Sequence, residues 1–232
     1  MCKTVAIVTT YFPKDEVVQN IRKISAQVDV VFICDNSPDD NYDLFQEISN
    51  VKYLANRENL GLSRAFNKAL KGNDYISLNS DDFVIFFDQD SQIEKGHVLT
   101  LKDEYKEVEI KHPDLGCLGP VFCNINTGRK ELPKSKTKLS ETTYQVGTII
   151  TSSMLTRYKN LRLVNFWNEN LFLDMADWDI CWRMQQAGLL CGMTEKVILT
   201  HSLGRGEKVV LGKHILLEPP IREYYQMRDS LY

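Results

Sequence analysis

What most narrows the fold of this chain is a series of apolar, β-rich runs at residues 4–8, 30–34, 51–54 and 83–87, each ending in polar side chains. A strand that is apolar at consecutive positions, rather than at alternate ones, has both faces covered. Between the first two runs, Val17, Val18, Ile21, Ile24 and Val28 recur at helical spacing behind Pro13 and Asp15. Between the last two, a helix is expected over residues 61–71, with Leu62, Ala65, Phe66, Ala69 and Leu70 on one face. Strands alternating with amphipathic helices predict an α/β fold with a mostly parallel central sheet and helices on both faces.

The second half is less regular. A helix is expected over 96–109 and strands over 115–122, 145–151 and 196–199, with a polar, basic loop at 124–138. A further helix starts near Asp177, carries Ile180, Cys181, Met184 and Ala187, and stops at Gly188. Residues 203–213, with three glycines and several basic side chains, read as a mobile loop, and an amphipathic helix is expected from Pro220 onward.

Charge and cysteine usage exclude several classes. A formal net charge of -3 leaves no broad positive field for nucleic acid. The six cysteines contain no Cys-x-x-Cys pair, so buried free thiols are expected instead of a zinc or thioredoxin motif. With no basic leader and no apolar run long enough to span a bilayer, a reducing, cytoplasmic setting is expected.

In an open parallel sheet, ligands bind beyond the carboxyl ends of the strands. There the chain places Thr9, Thr10 and Tyr11, then Asp35, Asn36 and Ser37, then Asn56, Asn59 and Gly61, and finally Asp88, Gln89 and Asp90. Paired carboxylates such as Asp88 and Asp90 suit a hard divalent cation, although an Asp-x-Asp triplet also lines ordinary solvated turns. A second acidic cluster, Asn79, Ser80, Asp81 and Asp82, stands as an alternative metal site. Asp35 lies in a run rich in turn formers, and Asn59 reads equally as a helix N-cap.

Taken in order, VAIVTTYF, VFICDNS, NLGLSRAFNKAL, FFDQDS, FLDMADWDICWRMQQAG and HSLG resemble the family 2 glycosyltransferases, whose nucleotide-sugar-binding domain is the GT-A fold. Within that family FDQDS and the ending REYYQMRDS are most similar to bacterial rhamnosyltransferases. The resemblance implies one glycosyltransferase domain: a nucleotide-sugar half at 1–91, an acceptor-binding and catalytic half at 92–214, and a C-terminal helix at 215–232. It implies Mn²⁺ or Mg²⁺ on Asp88 and Asp90, with His201 as a third ligand, and a donor held by Thr9, Tyr11, Asp35, Asn59, Gly61, Arg64, Asp88 and Gln89.

In this reading Asp35 accepts a hydrogen bond from the nucleobase, and Gly61 lets a phosphate approach the start of a helix. Asp177 is the general base, because it precedes the pattern carried by Asp179 and Arg183; Ala176 departs from relatives that place an acid there, and Asp174 is held in reserve. Trp178 and Asp174 are assigned to the acceptor, a glycan or lipid-linked saccharide, and Arg205, Lys208 and Lys213 to the diphosphate. The donor is read as dTDP-rhamnose, with UDP-hexoses as alternatives. Residues 221–232, aromatic and basic together, suit a peripheral membrane surface or a partner chain. A silent nucleotide-sugar-binding protein is the competing reading. A nucleotidyltransferase would need a glycine-rich basic loop after the first strand, which this chain lacks.

Overall fold

The computed structural model describes residues 2–71, 77–124, 130–133, 137–201, 207–210, 213–216 and 220–231. The first half alternates β1 (Thr4–Thr10), α1 (Asp15–Ser25), β2 (Val30–Asp35), β3 (Val51–Ala55), α2 (Gly61–Lys71) and β4 (Phe83–Asp88). The second half runs α3 (His97–Lys111), β5 (Leu115–Asn124), β6 (Lys130–Glu131), β7 (Thr143–Gln145), β8 (Leu155–Arg157), α4 (Tyr158–Leu163), α5 (Ala176–Gln186) and β9 (Leu190–His201). The hairpin β10 (Glu207–Val210) and β11 (Lys213–Leu216) and helix α6 (Pro220–Asp229) follow.

Strands β3, β2, β1 and β4 pair in parallel in that order. The sheet then continues β8-β5-β9-β7, with β6 alongside β5. Here β8 is antiparallel to both of its neighbours and β5 is parallel to β9, so the whole sheet is mixed.

Alternate side chains of each strand go to opposite faces, as the two-residue repeat of a strand requires. Ala6, Val8, Val31, Ile33, Ile85 and Phe87 pack with α1 and α3, whereas Val5, Ile7, Phe32, Cys34, Val84 and Phe86 pack with α2 and α5. This double cover explains why the parallel strands read as unbroken apolar runs.

The second half departs from expectation in four places. Residues 146–151 form no strand beyond β7; their apolar side chains, Ile149 among them, enter the core from a loop. Short β8 and α4 went unforeseen, because so few residues carry no period. Part of the loop expected at 124–138 forms β6, and the segment expected to be loop at 203–213 contains β10 and the first residue of β11 where it is described. Among the described residues, no helix is long and apolar enough to cross a membrane.

Candidate active site

The carboxyl ends of β1 to β4 open onto a cleft of about 600 Å³ lined by Thr9, Tyr11, Asn36, Asn59, Gly61, Asp88 and Gln89. Its far wall comes from Phe172, Leu173 and three residues of α6, Ile221, Arg222 and Tyr225. The parallel register sets the floor, since Thr9 lies beside both Cys34 and Asp88, and Thr10 beside Asp35.

The acidic turn after β4 is held from below. The Asp88 N–H donates to Ser91 Oγ at 3.0 Å, and Ser91 Oγ shares a hydrogen bond with Ser152 Oγ at 2.6 Å. Ser153, with φ of +65°, donates its N–H to the Phe86 carbonyl, and its hydroxyl meets His97 Nε2 at 2.7 Å. Burial lowers the His97 pKa to about 4, so this histidine is neutral near pH 7. A non-glycine residue in the left-handed region costs of order 1 kcal/mol and persists where its surroundings over-determine it, as they do beneath Asp88.

Asp88 and Asp90 are not equivalent. Asp88 is half-buried in the main cleft, whereas Asp90 is exposed and lines an adjoining hollow with Lys14, Glu16 and Asn20. The other acidic cluster lies at the opposite, amino end of β4. Buried Asp82 accepts the N–H groups of Lys3 and Asn79, each at 2.8 Å, and Asp81 pairs with Lys159 at 3.4 Å. That cluster fastens the start of the strand and is remote from the cleft.

Several residues expected on the donor have other employment. Asp35 is 1% exposed and accepts from Ser37 Oγ at 2.7 Å, Ser37 N–H at 3.1 Å, Asn41 Nδ2 at 2.8 Å and the Tyr53 hydroxyl at 2.6 Å. Burial alone would raise its pKa, but hydrogen bonds from Ser37, Tyr53 and Asn41 outweigh it and hold the carboxyl below its usual value. Both carboxylate oxygens of Asp35 are thus engaged by protein donors.

Gln89 is likewise engaged, accepting the Tyr11 N–H at 2.9 Å and donating to the Tyr11 carbonyl at 3.3 Å. Arg64 is exposed and donates to the Glu169 carbonyl at 3.1 Å, outside the cleft lining. Asn59 Oδ1 accepts the Gly61 N–H at 3.0 Å, so it caps the start of α2. Gly61, with φ of +72°, lies so close to the Phe172 carbonyl oxygen that a Cβ there would overlap it, and Leu62 N–H donates to the same oxygen at 2.7 Å. The close approach that this glycine permits is therefore to the protein's own wall.

The second cleft, about 320 Å³, lies between the 146–150 loop and the start of α5 and is lined by Asp177, Trp178, Phe122, Val146, Ile150 and Met193. Asp177 lies in the first turn of α5, which follows Met175, whose φ is +64°, and its Oδ1 accepts the Trp178 N–H at 2.9 Å. Burial, then the neighbouring Cys181 and the charge on Asp88, raise the Asp177 pKa to about 7. A carboxyl so placed exchanges its proton near neutrality, as a general base must.

Trp178 is 48% exposed on this cleft and stands edge-on to Trp182, with ring centroids 5.7 Å apart, whereas Trp167 is core against Phe66 and Phe86. Asp174 is not in this cleft; it pairs with Arg222 of α6 at 3.2 Å. His201 ends β9, whose Thr200 bridges Gln92, so the strand end lies beside the acidic turn; the His201 side chain is outside the described residues, as are Arg205 and the side chains of Lys208 and Lys213.

Sequence reasoning missed Ser152, Ser153 and His97, which no motif marks. It also missed the cleft-lining role of α6. Tyr225 stacks on Phe172 at 4.2 Å, and Asp229 accepts the Phe172 N–H at 3.0 Å. The signal was the REYYQMRDS run itself, in which Arg222, Tyr225 and Asp229 are the residues used.

Three comparisons with known proteins bear on this arrangement. The family model described as Glycosyl transferase family 2 matches residues 5–165. A dTDP-rhamnosyl transferase, RfbF of Shigella flexneri, is 25% identical over 239 residues, covering 97% of this chain and 77% of its own length. The crystal structure of GalNAc-T7 with UDP, GalNAc and Mn²⁺ superposes with a TM-score of 0.67 at 11% identity, covering 88% of this chain. This chain spans only 44% of that structure's chain, and at such low identity the likeness shows the fold alone, a GT-A fold.

Proposed function

Because the chain belongs to glycosyl transferase family 2 and is therefore a glycosyltransferase that uses a nucleotide sugar, we propose that it moves L-rhamnose from dTDP-rhamnose to a hydroxyl of a glycan or lipid-linked saccharide, with inversion. The observation that carries the reading is Asp177: a carboxyl with its pKa raised to about 7, lining a second cleft while feeling the charge of Asp88 in the first. A base on one side and a charged leaving group on the other is the arrangement that in-line displacement requires. The rhamnosyl donor is supported by the relative named for dTDP-rhamnose and by the resemblance of the run REYYQMRDS to bacterial rhamnosyltransferases.

Residues 1–91 with α6 hold the nucleotide sugar, and residues 92–214 hold the acceptor and the base. Asp88 anchors a Mn²⁺ or Mg²⁺ ion, with Asp90 from the rim as its second carboxylate. Hard carboxylate oxygens on a turn pinned by Ser91 suit such an ion, and GalNAc-T7 was solved with Mn²⁺. A divalent cation there offsets charge on the departing diphosphate. Arg222 adds a positive group to the same cleft wall. Asp177 takes the acceptor hydroxyl's proton, and Trp178 packs against the acceptor sugar.

The test is a thermal-shift and transfer screen of dTDP-rhamnose and UDP-hexoses with and without Mn²⁺, on the native chain and on Asp88→Asn and Asp82→Asn. The expected outcome is metal-dependent stabilisation by the thymidine nucleotide, lost in Asp88→Asn and kept by Asp82→Asn at a lower melting temperature. A response to UDP-hexoses alone would overturn the donor, and persistence in Asp88→Asn would overturn the metal site.

A further inference from the structure

Outside both clefts, three cysteines far apart in sequence converge. Cys117 on β5 and Cys191 on β9 are register partners on adjacent parallel strands, and Cys181 comes down from α5. All three are 0% exposed, and their sulfurs lie within 4.8 Å of one another.

The neighbourhood is otherwise apolar, with Ile149, Met154, Ala176, Ile180 and Met184 in the same core cluster. Two carbonyl oxygens approach the sulfurs, Ile149 O at 4.0 Å from Cys181 Sγ and Cys181 O at 3.7 Å from Cys191 Sγ. Among the described residues, no histidine or carboxylate joins the group.

We propose that Cys117, Cys181 and Cys191 form a binding site for a soft, monovalent d¹⁰ cation, Cu⁺, held by sulfur alone in three-coordinate geometry. Ligand type and number both point this way. Thiolates favour Cu⁺ over hard ions, and structural zinc almost always takes four ligands, of which this site supplies three. Two sheet strands and a packed helix carry the sulfurs, so little chain entropy is lost in gathering them.

Each sulfur that coordinates releases its proton to solvent, and copper remains Cu⁺ throughout, so no electron is exchanged. Cys181 lies one helical turn beyond Asp177, so an occupied site changes the charge beside that carboxyl.

The experiment is an anaerobic titration of the reduced, metal-free full chain with Cu⁺ supplied as its acetonitrile complex, in competition with a bathocuproine chelator. The expected result is uptake of a single equivalent with near-ultraviolet thiolate-to-copper absorption. That uptake is lost in Cys191→Ser and Cys181→Ala but kept in Cys2→Ser and Cys34→Ser. Thermal melts identify any variant that fails to fold, and Cys181→Ala, on a helix instead of in the sheet, is the safer of the two. No uptake against the chelator, uptake that survives both cluster variants, or tighter binding of Zn²⁺ than of Cu⁺ would overturn the assignment. None of these outcomes depends on transferase activity.

Discussion

The cleft lined by Asp88 and the cleft lined by Asp177 are built by opposite means. In the first, polar side chains follow parallel strands, and most are tied to protein groups: Asp35 to Ser37, Asn41 and Tyr53, Gln89 to Tyr11, and Asn59 to Gly61. In the second, the walls are largely apolar, and Asp177 receives a backbone hydrogen bond from Trp178 without the ring of donors that surrounds Asp35. The carboxyls respond accordingly, with Asp35 held below its usual pKa and Asp177 pushed up to about 7. Two aspartates in one protein thus differ through hydrogen-bond supply: many donors lock one as a structural anion, and few leave the other able to take a proton.

The largest expected effect breaks this contrast at its sharper end. Asp177→Asn is expected to lower kcat by about 10²- to 10⁴-fold with donor affinity retained, measured by transfer kinetics beside donor titration. In the native enzyme the rate rises with pH through about 7, as Asp177 loses its proton. Stability runs the other way. Because the folded pKa lies above the ordinary aspartate value, the folded state holds the proton more tightly, and stability declines as pH rises through the window up to about 7. Asp177→Asn therefore melts higher than the native chain at pH 8, and the gap closes near pH 4. A variant less stable at pH 8 would contradict the raised pKa.

An intermediate effect tests whether the first cleft is rigid by design. Gly61→Ala places a Cβ against the Phe172 carbonyl at a left-handed position, and is expected to destabilise the fold by about 1–3 kcal/mol in denaturant melts. Donor affinity falls with it, since α2 and the Phe172 wall separate. The smallest effect sharpens the acceptor side. Trp178→Ala removes an exposed ring and is expected to raise the acceptor KM by about 1 kcal/mol, roughly fivefold, with donor KM unchanged. An equal change in donor KM would move Trp178 to the first cleft.

The same contrast explains what could be read before the fold was known. Strands β1 to β4, helices α1 and α2 and the residues after each strand were legible, because doubly covered strands and amphipathic helices impose periods that local sequence must carry. Past Gln145, the last residue of β7, the apolar run to 151 is not strand, because burial, and not pairing, selects Ile149. Nothing local marks Ser152 or His97, whose roles arise from contact with residues some sixty positions away, Ser91 for one and Ser153 for the other.

By itself, then, the amino-acid order determined the parallel half, the carboxyl edge on which Asp88 sits and the helix whose first turn carries Asp177. Only tertiary structure decided how those residues are employed: that Asp82 fastens a strand while Asp88 faces a cleft, that Asp174 pairs with Arg222, and that α6 closes one wall of that cleft. The physical reason is that hydrophobic period is a property of neighbours along the chain. The protonation and reach of a polar side chain depend instead on whichever donors, charges and solvent the fold brings around it.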